Sequence, residues 1–230
     1  MTDRGIPMGV LTLFKGGRHQ ARAPALLVVG VHREERAFGE AVAAQLPAAD
    51  FDLLRIEQGL SGRRPGPDDL TAYRRRHRAL YAQILDHITP AHRMVLDLHT
   101  GFDEAGPCAD VLCADTALLR CLEDQAIAAR CRVPPAKSTI GGIQLVADEP
   151  ETAFTAPVSD QPLQTHPHHW PWLRPDIPHA VWCAGRHLYI GIEIYLTDID
   201  RPTGSDVTFG AAVVSAATDC GLCVASRPPI

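Results

Sequence analysis

Long apolar runs are missing from this sequence. No stretch approaches the roughly 20 residues that a membrane-spanning helix requires, so no membrane span is expected. The N-terminus, Met1-Thr2-Asp3-Arg4-Gly5, lacks the apolar core of a secretory signal. An excess of basic charge is also missing. Lysine and arginine number 22 against 27 acidic residues, for a formal net charge of −5. Phosphate binding needs a basic surface, so nucleic acid is not an expected partner. The seven cysteines are odd in number and follow no small-scaffold spacing. They read as reduced thiols of a cytoplasmic protein. Internal repeats are absent, and Gly141-Gly142 is too short for a phosphate-cradling loop. A chain of 230 residues can bury one sizeable core, and one domain spanning residues 1–230 is the expectation.

What is present is an alternation of strand-like and helix-like stretches. Leu26-Leu27-Val28-Val29 reads as a buried strand that Gly30 ends, with a further strand expected at Gly9–Phe14. A helix follows from about Glu34 to Leu46, carrying Ala37, Phe38, Ala41, Val42 and Leu46 on one face. Phe51–Ile56 is a strand, and the loop of Gly59–Pro67 leads to a long helix with Asp68 and Asp69 as N-cap candidates. On that helix Leu70, Tyr73, Leu80, Tyr81, Ile84, Leu85 and Ile88 keep helical spacing, and Arg74, Arg75, Arg76 and Arg78 form a solvated face. Strands are expected at Met94–His99, Ala109–Cys113, Ile140–Val146 and Leu188–Leu196, and helices at Asp115–Arg130 and Asp206–Thr218. This order predicts a three-layer α/β/α domain with a mixed, mostly parallel sheet.

Four residues carry chemistry. His32 and Glu35 follow the Leu26–Val29 strand with two residues between them, and His99 ends another strand. Alone, a His-x-x-Glu pair also fits a surface turn at a helix start. In open α/β sheets, however, the carboxyl ends of neighbouring strands share one crevice. Two histidines and a glutamate with an open fourth position suit a catalytic zinc ion. Glu193 is charged within the otherwise apolar Leu188–Leu196 strand, as a general base beside a metal-activated water would be, or as one half of a structural ion pair.

His32-x-x-Glu35, Asp97-Leu98-His99-Thr100 and Gly191-Ile192-Glu193, in this order, resemble the signature of the zinc carboxypeptidase superfamily, in its succinylglutamate desuccinylase/aspartoacylase branch. The resemblance runs from about residue 24 to 200. It implies zinc held by His32, Glu35 and His99, with Glu193 activating water and Asp97 near the site or turned away from it. The family also uses an arginine followed eight residues later by an Asn-Arg pair. Arg55 and Gly62-Arg63 fall at that spacing, with glycine in the asparagine's place. Arg55 is thereby expected at the oxyanion, and Arg63 and Arg64 at a substrate carboxylate, since guanidinium forks fit such groups. Arg33-Glu34 replaces the family's glycine-rich turn, which makes Glu34 a competitor of Glu35 as ligand. Only 37 residues follow Glu193, so the entrance is expected to be shaped by the Val133–Pro178 loop or by a second subunit in a homo-oligomer.

The function so implied is a zinc-dependent hydrolase that cleaves the amide of a small N-acylated amino acid. A metallocarboxypeptidase acting on short peptides, an N-formylglutamate amidohydrolase-like enzyme and a non-catalytic metal-binding protein are the alternatives. His166, His168 and His169, among prolines and tryptophans, read as a lid or surface loop. Cys220-Gly-Leu-Cys223 has redox spacing without a thioredoxin-like strand–helix context.

Overall fold

The computed structural model describes residues 11–14, 23–63, 65–130, 140–147, 170–183 and 185–225. Eight strands make one sheet: β1 (Leu11–Phe14), β2 (Ala25–Val29), β3 (Phe51–Ile56), β4 (Met94–Phe102), β5 (Cys108–Cys113), β6 (Ile140–Leu145), β7 (Trp172–Leu173) and β8 (Leu188–Leu196). Their order across the sheet is β1-β3-β2-β4-β8-β5-β6-β7. Pairings are parallel except β1 with β3 and β5 with β8. The helices are α1 (Arg36–Ala43), α2 (Leu70–Leu85), α3 (Thr116–Arg130), α4 (His179–Trp182) and α5 (Gly204–Ala225).

Both faces of the central strands are covered, which is why β2 reads as an unbroken apolar run rather than an alternation. On one face Leu27, Val29, Leu96, Leu98, Ile190 and Ile192 pack with Phe38 and Val42 of α1, Leu118 and Leu119 of α3, and Val213, Val214 and Ala217 of α5. On the other, Leu26, Val28, Leu54, Ile56 and Val95 pack with Leu80, Tyr81 and Ile84 of α2 and Val181 and Trp182 of α4. The expected three layers and mixed, mostly parallel sheet are thus found.

Four sequence expectations need correction. Asp69 precedes α2 but makes no side-chain cap; a short 3-10 turn at Pro67–Asp69 leads into the helix instead. β4 does not end at His99 but continues to Phe102, which leaves the histidine inside the strand. The arginines of α2 are exposed as expected, with Arg74 and Arg78 paired to Asp176. α5 is a 22-residue helix, longer than expected, with a mean hydropathy of 1.6 that would suit a membrane span by length and composition. Its apolar surface packs on the sheet, α1 and α3 through Val213, Val214, Ala217 and Cys220. Finally, the thiols are not all reduced: Cys121 of α3 and Cys220 of α5 form a disulfide, leaving Cys223 of the Cys-Gly-Leu-Cys stretch free and exposed.

Candidate metal centre

β2 stops at Val29 because Gly30 takes a positive φ of 85°, a conformation that favours glycine. The chain then runs beside residues 59–62. Leu60 N donates to Val31 O (2.8 Å) and Arg33 N donates to Leu60 O (2.9 Å). This approach requires glycine at 59, where a Cβ would lie 2.1 Å from Gly30 O. Glu35 N donates to His32 O, closing a turn that puts both side chains on one side. His32 Nδ1 donates to Glu35 Oε1 at 2.8 Å, and His99 Nδ1 from the neighbouring strand β4 donates to Glu35 Oε2 at 3.0 Å. Donor atoms of His32, Glu35 and His99 all lie within 4.8 Å of one another.

The far ring nitrogens are also held. His32 Nε2 accepts from the Tyr73 hydroxyl at 3.2 Å. His99 Nε2 lies 3.2 Å from Asp97 Oδ2, which also accepts from the hydroxyls of Tyr81 and Tyr189. Asp97 therefore faces the site, on the α2 side of the sheet. Metal-ligating histidines are commonly fixed in this way by an oxygen partner on the second nitrogen. Two imidazoles with Nδ1 turned to a common point, joined there by a carboxylate, form a donor set that suits zinc.

The electrostatics follow from crowding. Although burial opposes ionisation of Glu35, the hydrogen bonds from His32 and His99 hold its carboxyl below the usual range. Burial likewise opposes charge on His99, yet Asp97 and Glu35 raise its pKa well above that of an ordinary imidazole. Asp97 is held at about 2, against the penalty of its burial, by His99 and the two tyrosines. Glu193 stands directly beside His99 in the β4–β8 register. Burial, only partly offset by His99, pushes its carboxyl up to about 7.

The structure thus brings His32, Glu35, His99 and Glu193 together. Glu34 does not compete with Glu35. It accepts from Ser61 Oγ and Gly62 N (both 3.0 Å) and ties the 59–62 loop to the turn. Against burial, those bonds hold it at about 2. Arg55 is not brought to the cluster. In β3 Leu54 and Ile56 face α2, so alternation turns Arg55 to the opposite face, where Nε lies 3.4 Å from Glu40 Oε1 of α1. Arg55, expected at the oxyanion, is thus placed on the face of the sheet opposite the cluster. Arg63 is exposed on the loop, beside Gly62, whose Cβ position is 3.4 Å from His32 Cβ. Arg64, His166, His168 and His169 lie outside the described residues.

Sequence reasoning counted Tyr73 and Tyr81 as core positions of a helix and overlooked His77 and Tyr189. Tyr73, His77 and Tyr81 recur every four residues on α2, and this polar-tipped stripe was the available signal. His77 stacks on His32 with ring centroids 6.4 Å apart, and its Nδ1 donates to Asp176 O.

No protein-family model and no curated protein matches the chain. Among solved structures, it is similar to murine aminoacylase 3, with 12% identity, a TM-score of 0.45, and coverage of 92% of this chain and 68% of that one. A bacteriophage poly-gamma-glutamate hydrolase matches at 8% identity and a TM-score of 0.42, covering 95% of this chain and 91% of the other. A succinylglutamate desuccinylase from a Silicibacter species matches at 15% identity and a TM-score of 0.41, covering 90% and 58%.

Proposed function

We propose that this chain is a zinc-dependent amide hydrolase of the zinc carboxypeptidase type, acting on small N-acylated amino acids. The observation that carries the reading is the convergence of both histidine Nδ1 atoms on Glu35, with Glu193 in the adjacent register position. His32, Glu35 and His99 would hold the ion. The chemistry zinc supplies when held there is Lewis acidity toward water and toward the scissile carbonyl. Asp97 keeps a proton on His99 Nε2, and Tyr73 steadies His32, so both rings present Nδ1 inward. Glu193 takes a proton from water as its oxygen bonds to the carbonyl carbon. It then returns that proton to the departing amine nitrogen as the C–N bond breaks. Arg63, at the mouth beside Gly62, would receive a substrate carboxylate.

The test joins metal content to turnover on one purified sample, with N-acyl amino acids as substrates. The expected result is about one zinc per chain, lost in the His32→Ala/His99→Ala double variant. Glu193→Gln should keep zinc and fold while losing about a hundredfold or more in kcat. Full zinc in the double variant, or near-normal turnover in Glu193→Gln, would overturn the reading.

A further inference from the structure

Helix α2 meets the candidate metal centre through Tyr73, His77 and Tyr81, one turn apart. Tyr73 donates to His32 Nε2, and the Tyr81 hydroxyl donates to Asp97 and lies 3.4 Å from His99 Nε2. Between them, the His77 ring stacks on Tyr73 (centroids 6.0 Å apart, planes 24° apart) and on His32 (6.4 Å, 25°). It also tilts against Tyr81 at 4.8 Å. These separations are those of offset aromatic contact. His77 therefore touches His32 itself and both tyrosines that stand behind the two histidines.

Packing alone does not call for an imidazole at this position. Farther along α2, the inward side of the helix is filled by Leu80, Tyr81 and Ile84. What the imidazole adds is a donor. Its Nδ1 lies 3.1 Å from the backbone oxygen of Asp176, and a carbonyl can only accept, so Nδ1 carries the proton and the ring is held in one orientation. The side chain of Asp176 is fixed as well. Its Oδ2 takes Arg74 Nε at 3.1 Å, and its Oδ1 takes Arg78 Nε and Nη2 at 3.0 and 2.6 Å. These arginines stand on either side of His77 along α2. Exposed pairs of this kind add little stability. Their effect is geometric, because they fix the Asp176 carbonyl over a side chain that touches His32.

We propose that His77 is a positioning residue of the metal centre, acting through His32 and Tyr73, with Asp176 as its anchor. The inference rests on the reading of His32, Glu35 and His99 as metal ligands. An imidazole holds a metal only where its nitrogen lone pair points at the ion, so freedom of the His32 ring to turn weakens binding. Glu35 and Tyr73 engage the two ring nitrogens, and the His77 ring restrains the plane between them. Groups that hold a ligating histidine contribute about 10–100-fold in metal affinity. His77 acts by ring contact rather than by a bond to the ligand, which places its share at the lower end.

Two measurements test this without turnover: zinc affinity by competition with a chromophoric chelator, and the visible absorption of the cobalt-substituted protein. Cobalt bands report the geometry of the ligand set, which a residue that only stabilises the fold does not change. His77→Leu removes both ring and donor. It should bind zinc about tenfold more weakly than wild type and shift the cobalt bands, with circular dichroism reporting an intact fold. His77→Phe keeps a ring against His32 and loses only the bond to Asp176. It should weaken zinc binding about threefold or more, and it carries both measurements if His77→Leu does not fold. A wild-type zinc affinity in either variant, or a wild-type cobalt spectrum in His77→Leu, would overturn the proposal. A wild-type protein that binds no zinc would overturn it together with the hydrolase reading. Zinc binding that depends on His77, in a protein inert toward all N-acyl amino acids, would sink the hydrolase reading alone.

Discussion

At the scale of single residues, the site is a set of groups that disagree with their own burial. Glu193 is the clearest case. Its carboxyl is raised from 4.5 to about 7 in the folded, metal-free protein by burial. A raised acid contributes stability below the unfolded value and loses it as pH rises through the folded one. Metal-free wild-type protein should therefore lose stability relative to Glu193→Gln between pH 4.5 and pH 7. Urea unfolding of both proteins after chelation checks this; parallel pH curves would show that the carboxyl titrates normally. Asp97 acts on the opposite side of the balance. Its Oδ2 gathers His99, Tyr81 and Tyr189, so Asp97→Asn removes the charge that orients His99 while nearly keeping its shape. The expected outcome is a metal affinity about 10–100-fold weaker, read by competition with a chromophoric chelator. An unchanged affinity would make Asp97 a packing residue only.

At the scale of elements, periodicity explains both what the sequence discloses and what it hides. β3 and β8 begin and end at their expected residues because period-two alternation in β3 and a largely apolar run in β8 leave little choice. The histidines of the candidate metal centre were legible for a related reason. His32 follows the end of β2 and His99 follows the apolar run of β4, which itself continues to Phe102, and the parallel pairing of these neighbours brings the two together. Arg55 shows the limit of spacing. It lies at the family's interval from Arg63, but the interval says nothing about which face of β3 the side chain takes. With Arg55 paired to Glu40, Arg55→Ala should change kcat by less than about threefold, whereas an oxyanion donor would cost about a hundredfold or more. The same substitution should cost at most about 1 kcal/mol of stability, since the pair is partly exposed. A steady-state comparison with wild type decides between the two roles. α2 presents the complementary case. Its Tyr73-His77-Tyr81 stripe is indistinguishable from a core face until β2 and β4 place polar ligands beneath it.

At the scale of the whole molecule, the layer of α1, α3 and α5 is tied by the Cys121–Cys220 disulfide across 99 residues of sequence. Cross-links closing loops of this size stabilise by roughly 2–5 kcal/mol, largely by restricting the unfolded chain. Cys121→Ala/Cys220→Ala should accordingly lower the melting temperature by roughly 5–15 °C, and a reductant should bring wild type to the same value. A reductant-insensitive melting temperature equal to that of the double variant would mean the bond is not formed. The candidate metal centre lies on the other side of the sheet, so its capacity to bind zinc should be the same in the double variant as in wild type at temperatures below the variant's melting range.

By itself, the sequence determined the layered α/β class, the mostly parallel sheet and the two histidines, His32 and His99, that meet in the structure. Each of these follows from local patterning: hydrophobic period, glycine and proline punctuation, and polar residues at strand ends. Only the tertiary structure decided which carboxylate meets both histidines, where Arg55 goes, and that Asp97 faces inward. These depend on register and strand order across the sheet. Residues 99 and 193 become neighbours only because β8 lies beside β4 and pairs with it in this register. That placement comes from long-range packing of two apolar faces, which no short stretch of the chain encodes.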